Sequence, residues 1–326
     1  MPVEVPAPPG PIKRWVLGAR PRTLPAAIVP VLVGTAAAHP LSPGVWNTVA
    51  PMVGGSAPRI DAWWCALGAM VVALAIQVGT NYANDYSDGI RGTDDARVGP
   101  VRLVASGLAP PSSVRRAAFV AFGIAAVVGL GLAWATSWWI LAVGAACLAA
   151  GWFYTGGPRP YGYAGLGELF VFVFFGLVAT VGSFYVQTLS VDLAAVWYAA
   201  VGVGLLATAL LLANNLRDIA TDTESGKRTV AVRVGRRTAG WCYVACVGLP
   251  FVGVLVWAGW SVADRAVAHP AAAFLPLVAL PLAIAPVRLV TSEASGRALL
   301  PVLAATGRLQ LAFGVLLSLA LWLCVT

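Results

Sequence analysis

Two short segments of the chain combine Asn and Asp side chains at helical spacing. The first is NYANDYSDGIRGTDDARVGPVRLVASG at residues 81–107, and the second is NNLRDIATDTESGKRT at residues 214–229. Residues three, four and seven positions apart share one face of a helix, so each segment can present its amides and carboxylates together. The residues on these faces are Asn81, Asn84, Asp85 and Asp88 in the first segment and Asn215, Asp218 and Asp222 in the second.

Two such faces, brought together, predict a site for magnesium and a diphosphate. Carboxylate and amide oxygens are hard ligands, and Mg²⁺ bound by them keeps coordination positions for water and phosphate oxygens. Arg and Lys side chains follow both segments and can neutralise the phosphate oxygens that the metal does not reach. These flanking cations are Arg91, Arg97, Arg102, Lys227, Arg228 and Arg233.

A simpler interpretation of each Asn or Asp is that it caps a helix end in water, as these residues often do. For any one of them alone, capping is the better interpretation. Six of the 13 acidic residues nevertheless fall in the two segments, and chance capping explains that concentration poorly. These six are Asp85, Asp88, Asp94, Asp95, Asp218 and Asp222.

The elements that must position these residues are membrane helices. The chain of 326 residues is 59% hydrophobic and 10% charged, whereas a typical soluble domain has roughly 25% charged residues. Because lipid offers the backbone no hydrogen bonds, apolar runs long enough to cross it form helices. Nine such runs have cores at residues 23–38, 62–80, 117–135, 138–154, 169–189, 193–213, 239–260, 271–287 and 309–326. We therefore predict an all-α, polytopic membrane helix bundle of about nine helices, with residues 1–326 as a single domain.

The distribution of Lys and Arg predicts how this bundle is oriented. The net charge of +8 could suit a nucleic-acid partner, but 19 of the 21 basic residues fall in segments that nine crossings place on one side. Only Arg59 and Arg265 fall on the other side. By the positive-inside rule the N-terminus and both Asn/Asp segments are cytoplasmic. The partner expected from this charge is the lipid bilayer, with no nucleic acid.

The remaining features of the sequence give little evidence for a second kind of reaction. The sequence contains no phosphate-binding GxxxxGK[ST] segment, so nucleotide hydrolysis has no support. All five cysteines lie in apolar runs without metal-type spacing and are interpreted as packing residues. Glu168 begins the fifth apolar run, where it is either a helix N-terminal cap or a further catalytic carboxylate.

The two Asn/Asp segments resemble the paired motifs of the UbiA superfamily of intramembrane aromatic prenyltransferases. The closer resemblance is to its MenA branch, which prenylates 1,4-dihydroxy-2-naphthoate, through ARPRTLPAAIVPVLVGTA, RLVASG, YTGGPRPYGYAGLGE and NNLRDIATDTESGKRTVAVRVG. The resemblance implies Asp85, Asp88, Asp218 and Asp222 as catalytic ligands of Mg²⁺ and diphosphate. It implies support from Asn81, Asn84, Asn214 and Asn215, and diphosphate contacts from Lys227 and Arg228.

The resemblance also implies a reaction. The diphosphate of a polyprenyl diphosphate leaves, the allylic carbon becomes cation-like, and the naphthoate ring attacks it. Loss of carbon dioxide and a proton then gives demethylmenaquinol for menaquinone synthesis. Aromatic side chains would line the dry pocket that this requires. The candidates are Tyr82, Tyr86, Tyr154, Tyr161 and Tyr163 near the inner face, and Phe170, Phe172, Phe174, Phe175 and Phe184 along the fifth run.

Arg22 is the candidate anchor for the carboxylate of the acceptor, although an interfacial arginine that only sets topology is the alternative. Many superfamily members carry Lys or Arg shortly after the YT pair, but here Gly156, Gly157 and Pro158 delay the first cation to Arg159. At Arg159 the sequence therefore departs from the family pattern.

Three other functions stay open at this point. The acceptor can be another aromatic used in the superfamily, such as 4-hydroxybenzoate or homogentisate. A membrane transporter would also carry intramembrane acids, although here they gather at one face rather than at mid-bilayer. A structural protein would have no need for clustered carboxylates.

Overall fold

The computed structural model describes residues 9–38, 62–93, 101–264 and 267–325, and in these ranges the chain is helical with no β-strand. Short 3₁₀ turns join or extend the helices at Pro21–Thr23, Tyr161–Ala164, Pro270–Ala279 and Gly296–Leu299. The helices are α1 (Pro11–Gly18), α2 (Pro25–Ala38), α3 (Ala62–Ile90), α4 (Pro111–Ala135), α5 (Ile140–Phe153), α6 (Gly167–Thr188), α7 (Ala194–Glu224), α8 (Val230–Ala263), α9 (Pro281–Thr291) and α10 (Leu300–Val325).

The predicted all-α membrane bundle is confirmed, whereas its predicted number of crossings stays a prediction. Within the described ranges, seven helices are long and apolar enough to span a membrane, or eight if the bent pair Pro11–Thr23 and Pro25–Ala38 counts as one span. The fourth predicted run corresponds to α5, which has 14 residues. At 1.5 Å per residue it covers about 21 Å, less than the roughly 30 Å hydrocarbon core. Arg59 and Arg265, the two predicted outer cations, lie outside the described residues.

The largest buried cluster is built where α7 passes through the middle of the bundle. Val203, Leu206 and Leu212 of α7 pack with Val29 of α2 and Phe313 of α10. Membrane helices gain little from apolar contact with each other over contact with lipid, so close approach at small residues holds them together. Here α6 and α7 approach at Gly176 and Gly204, where a side chain on either residue would meet the backbone of the other helix.

Two irregular segments occur in the helices closest to the Asn/Asp segments. Residues Phe172–Val178 of α6 wind as a π-helix, a widened turn that often occurs at functional sites. In α8, Gly235 has φ 79° and ψ 164°, which interrupts the helix five residues after it begins. A positive φ is readily adopted only by glycine. The break separates the first turn of α8 from the longer apolar part of the helix.

The approach of α6 to α7 gives a stability prediction. In Gly176→Ala the new Cβ would lie 2.5 Å from Cα of Gly204 and 3.0 Å from the carbonyl oxygen of Ala200. Because backbone atoms cannot move aside as side chains do, we expect a loss of about 1–3 kcal/mol and a lower thermal midpoint in detergent, measured by fluorescence-detected size-exclusion chromatography. The control is Gly253→Ala, where nothing lies within 4 Å of the new Cβ. An unchanged midpoint in Gly176→Ala would contradict the close approach.

Candidate active site

A cavity of about 510 Å³ lies between α2, α3, α4, α5, α6 and α7. One end of this cavity is polar, and the remainder is lined mainly by apolar and aromatic side chains of α2 to α7. Both Asn/Asp segments therefore contribute to one cavity, as the sequence predicted for facing helix ends. The polar residues at this end are Asn81, Asn84, Asp88, Arg102, Tyr163, Asn214, Asn215, Arg217, Asp222, Lys227 and Thr229.

The Asp88 carboxylate is the meeting point of this polar end. Lys227 Nζ lies 3.2 Å from its Oδ1 and Arg102 Nη2 lies 3.7 Å from its Oδ2. The Tyr163 hydroxyl donates a hydrogen bond of 2.5 Å to Oδ1. Asp88, Lys227 and Arg102 are 2%, 6% and 8% exposed. Charges this deeply buried persist in a protein only when they are paired, so these contacts specify the local arrangement of three chain segments.

Lys227 reaches Asp88 because of the turn that ends α7. Gly226 adopts φ 74° there, and the Lys227 amide donates to the carbonyl of Asp222 at 2.8 Å. The next amide, that of Arg228, donates to the carbonyl of Tyr163 at 2.9 Å. The second Asn/Asp segment is thus joined by its backbone to the turn that carries Tyr163.

The Tyr163 phenol stays protonated in this environment. Burial, and after it the neighbouring Asp88 carboxylate, raises the pKa of Tyr163 above the ordinary value. Both causes disfavour the phenolate. The hydroxyl therefore remains a hydrogen-bond donor to Asp88 at neutral and mildly alkaline pH. Lys227 Nζ also lies 4.7 Å from the centre of the Tyr163 ring, a cation–π distance.

The amides at the polar end are held by neighbouring loops and helices. Asn84 Oδ1 accepts a hydrogen bond of 2.7 Å from the Thr155 hydroxyl. Asn215 Nδ2 donates at 2.8 Å to Oε1 of Glu168, whose Oε2 is buried without a hydrogen-bond partner. Asn81 Nδ2 donates to the Ala19 carbonyl at 2.9 Å. The loops before α2 and α6 are therefore ordered around the Asn/Asp segments.

Two of the four aspartates predicted to bind magnesium, Asp85 and Asp218, have surroundings that differ from those of Asp88. The Asp85 carboxylate is fully buried and accepts the backbone amides of Leu103 at 2.8 Å and Val104 at 3.0 Å. Asp218 forms a bidentate pair with Arg217, with both N–O distances 2.7 Å. Asp88 and Asp222 line the cavity, whereas Asp85 and Asp218 are not among its lining residues. The metal-ligand roles of all four remain predictions.

Oxygen donors suited to magnesium are present at the cavity. Asp88 and Asp222 supply carboxylates, and Asn84 and Asn214 supply amide oxygens. Within the described ranges, no group of three or more His, Cys, Asp or Glu side chains forms a ready-made metal cluster. Mg²⁺ commonly takes only one or two carboxylates and completes its coordination with water and substrate phosphate. The donor set therefore fits magnesium held jointly with a diphosphate.

Comparison with known proteins identifies the family. The UbiA prenyltransferase family matches residues 27–300. The chain belongs to this family and is a membrane prenyltransferase. It is 47% identical to the 1,4-dihydroxy-2-naphthoate octaprenyltransferase of Mycobacterium tuberculosis, covering 94% of this chain and 96% of that protein. It is 33% identical to the Escherichia coli protein of the same name, covering 95% of each chain.

Solved structures share the fold. A UbiA homolog from Archaeoglobus fulgidus, bound to DMAPP and Mg²⁺, matches with a TM-score of 0.54 at 14% identity, over 93% of this chain and 98% of that one. A digeranylgeranylglyceryl phosphate synthase matches with a TM-score of 0.56 at 11% identity, over 96% and 98%. At such low identity these likenesses support the UbiA fold alone.

The other predicted site residues of this UbiA-family chain have varied positions. Tyr154 lines the cavity. Arg228 is exposed and outside the cavity lining, where its backbone amide, not its guanidinium, contacts Tyr163. Arg22 is also exposed and outside the lining, while Arg20, two residues earlier, lines the cavity. Arg97 lies outside the described residues.

Sequence reasoning overlooked Arg217, a buried cation of the cavity. Its guanidinium lines the polar end, held there by the pair with Asp218. The signal was present in the NNLRD segment, where Arg217 stands between the amides and the first carboxylate. Arg91, by contrast, uses its guanidinium to hydrogen-bond the carbonyls of Thr155 and Gly157, which fixes the loop after α5.

The apolar part of the cavity begins with a series of aromatic rings. Tyr161 stacks on Phe170 with ring centroids 4.0 Å apart. Tyr154 and Phe174 extend this contact at 5.5 Å from Tyr161 and 5.8 Å from Phe170. Of the phenylalanines predicted to line a prenyl tunnel, Phe170, Phe174 and Phe175 line the cavity. Phe172 and Phe184 are absent from its lining, and Phe184 packs in the core.

The different surroundings of the aspartates give a paired prediction. Asp85→Asn removes the carboxylate that holds two backbone amides, so we expect a loss of about 1.5–3 kcal/mol of stability and a lower thermal midpoint. Asp222→Asn changes a cavity-lining group, so we expect prenyl transfer to fall on the order of 100-fold with a midpoint close to that of the unmodified protein. Both variants are measured in detergent by thermal unfolding and by product formation. A native midpoint in Asp85→Asn would contradict its loop-holding contacts.

Proposed function

We propose that this protein transfers a polyprenyl group from polyprenyl diphosphate to 1,4-dihydroxy-2-naphthoate, with magnesium and with loss of carbon dioxide, to give demethylmenaquinol for menaquinone synthesis. The observation that carries the proposal is one cavity with a cationic and carboxylate end that continues into an aromatic and apolar body. That division matches a substrate with a charged diphosphate and a long hydrocarbon chain. The names of the relatives support the acceptor.

The diphosphate is expected to bind at the polar end. Lys227, Arg102 and Arg217 line it, and Nη1 of Arg217 is buried without a hydrogen-bond partner. A phosphate oxygen can satisfy that orphaned N–H group, and guanidinium groups suit such oxygens well. Asp88, Asp222, Asn84 and Asn214 would hold magnesium, which when bound supplies Lewis-acid stabilisation of the departing diphosphate. Asp85 and Asp218 are assigned supporting positions at the loop and at Arg217.

The aromatic rings next to this end are expected to receive the reacting carbon. Tyr161, Phe170 and Tyr154 present a continuous aromatic wall between the polar end and the apolar body. Aromatic faces attract positive charge, and a wall of rings excludes water that would otherwise capture the allylic carbon. The apolar lining beyond them provides the environment for the polyprenyl chain.

The reaction balances without any further reactant. The allylic carbon–oxygen bond breaks and both of its electrons leave with the diphosphate. The ring carbon that bears the carboxylate supplies the electron pair of the new carbon–carbon bond. The carboxylate leaves as carbon dioxide, its bonding electrons restore the aromatic ring, and the hydroxyl groups remain as the quinol.

We also propose that the chain is one domain in a bacterial cell membrane with the polar end of the cavity facing the cytoplasm. The support is the segregation of basic residues, 19 of 21 on the side that carries both Asn/Asp segments. Other acceptors, such as 4-hydroxybenzoate or homogentisate, are disfavoured by the names of the relatives that match over nearly the whole chain. Membership of a prenyltransferase family likewise gives the transporter alternative no support.

Label transfer tests the proposal directly. The purified protein in detergent is supplied with radiolabelled polyprenyl diphosphate and 1,4-dihydroxy-2-naphthoate, and the labelled naphthoquinone is separated by chromatography. We expect transfer with Mg²⁺, none with EDTA, and none to 4-hydroxybenzoate or homogentisate supplied in parallel. Transfer only to another aromatic would overturn the acceptor, and folded protein that transfers to none of them would overturn the proposed function.

A further inference from the structure

Arg20, at the bend between α1 and α2, has an unusual backbone conformation. Its φ is 53° and its ψ is 69°, and Leu189 is the only other described non-glycine residue with a positive φ. A left-handed conformation costs a residue with a side chain of order 1 kcal/mol or more, and such residues are found at ligand sites when their surroundings enforce them. A conformation with this cost indicates that the position of the Arg20 side chain matters to the protein.

Hydrogen bonds from the first Asn/Asp segment enforce this conformation. Asn81 Nδ2 donates to the carbonyl of Ala19 at 2.9 Å and to the Thr23 hydroxyl at 3.1 Å. That hydroxyl donates in turn to the Arg20 carbonyl at 2.9 Å. Gln77 Nε2 adds a contact of 3.0 Å to the same hydroxyl. The backbone on both sides of Arg20 is thus fixed to α3, and Asn81 is its positioning residue.

The guanidinium of Arg20 lines the cavity with unused hydrogen-bonding capacity. Its only hydrogen bond to a described residue is at 3.5 Å, from Nη2 to the carbonyl oxygen of Asn81. Its Nε is buried without any partner, and Arg20 has no acidic partner within the described ranges. An unpaired guanidinium facing a cavity is suited to an anionic ligand, above all to a planar carboxylate that accepts two parallel hydrogen bonds.

The position of Arg20 separates this anion from the diphosphate. Arg20 contacts Asn81, which precedes Asp88 by seven residues on α3, about 10 Å along the helix axis. The cations grouped with Asp88 are Lys227 and Arg102, so the diphosphate end already has its own positive charge. The carboxylate of the acceptor and the diphosphate thus have separate cationic partners in the cavity.

We propose that Arg20 binds the carboxylate of the aromatic acceptor and makes the enzyme select acceptors that carry one. This inference rests on the proposed function, because it assumes an aromatic acid as acceptor. It assigns to Arg20 the role expected of Arg22, which is exposed and is not among the residues that line the cavity. When carbon dioxide leaves, the anion that Arg20 binds disappears, so the quinol product is held less tightly than the acceptor and can be released to the membrane.

The test uses Arg20→Gly, because glycine adopts the left-handed conformation without strain and the variant therefore loses only the side chain. At saturating polyprenyl diphosphate we expect the KM for 1,4-dihydroxy-2-naphthoate to rise about 10- to 100-fold, the loss typical of a charged hydrogen-bonded pair. The KM for polyprenyl diphosphate should stay within about twofold of the native value. The matched control is Arg22→Ala, which removes an exposed arginine outside the cavity and should leave both values unchanged.

A pair of inhibitors isolates the carboxylate. Inhibition constants are measured for 1-hydroxy-2-naphthoate and 1-naphthol, which differ only in that group. The native enzyme is expected to prefer the acid, and Arg20→Gly should lose this preference while binding 1-naphthol as before. A merely structural role would weaken both inhibitors alike. An unchanged preference for the acid, or a raised KM for polyprenyl diphosphate alone, would overturn the proposal. Failure of the proposed function itself would appear earlier, as absence of naphthoate prenylation by the native protein.

Discussion

The structure of the cavity depends above all on the pairing of one buried carboxylate, that of Asp88. Its partners come from three separate parts of the chain: Arg102 after α3, Tyr163 before α6 and Lys227 after α7. Burial makes each of these charges costly unless it is paired. The cost is offset when these segments meet at Asp88. A requirement for charge pairing therefore aligns two helix ends and two loops that apolar packing in lipid would leave free to slide.

The Asn/Asp segments divide their polar groups between building the cavity and facing it. Asp85 holds the backbone of Leu103 and Val104, Asp218 orients Arg217, and Asn81 fixes the bend at Arg20. Asp88 and Asp222 line the cavity. A site for a multiply charged substrate needs both kinds of residue, because donors that are not fixed in advance must be ordered at each binding event. The segments are dense in polar residues for this structural reason as well as for ligand binding.

The apolar part of the cavity depends on close backbone packing elsewhere. The glycine contact between α6 and α7 brings these helices together beside the π-helical segment Phe172–Val178. The extra residue in a π-turn alters the direction of the side chains that follow. Phe174 and Phe175 within this segment line the cavity, as does Phe170 before it, whereas Phe172 packs toward Gly204 of α7. A simple count of aromatic residues along this helix does not separate the two groups.

The sequence by itself determined that the chain is a helical membrane bundle, because a backbone in lipid must form its hydrogen bonds within the protein. It also determined that both Asn/Asp segments contribute to one cavity, because the charged residues lie at one face of the membrane. Only the tertiary structure decided which of these residues face that cavity. Because each residue of α3 turns by about 100°, Asn84 and Asp88 lie to one side of Asn81. Asp85 lies to the other side, where it holds the loop that carries Leu103 and Val104. The position of this loop depends on distant contacts. The tertiary structure likewise distinguished Arg20 from Arg22, since at the bend before α2 Arg20 lines the cavity and Arg22 does not. Local pattern sets which residues share a helix face, but the neighbours of that face are set by long-range packing and charge pairing.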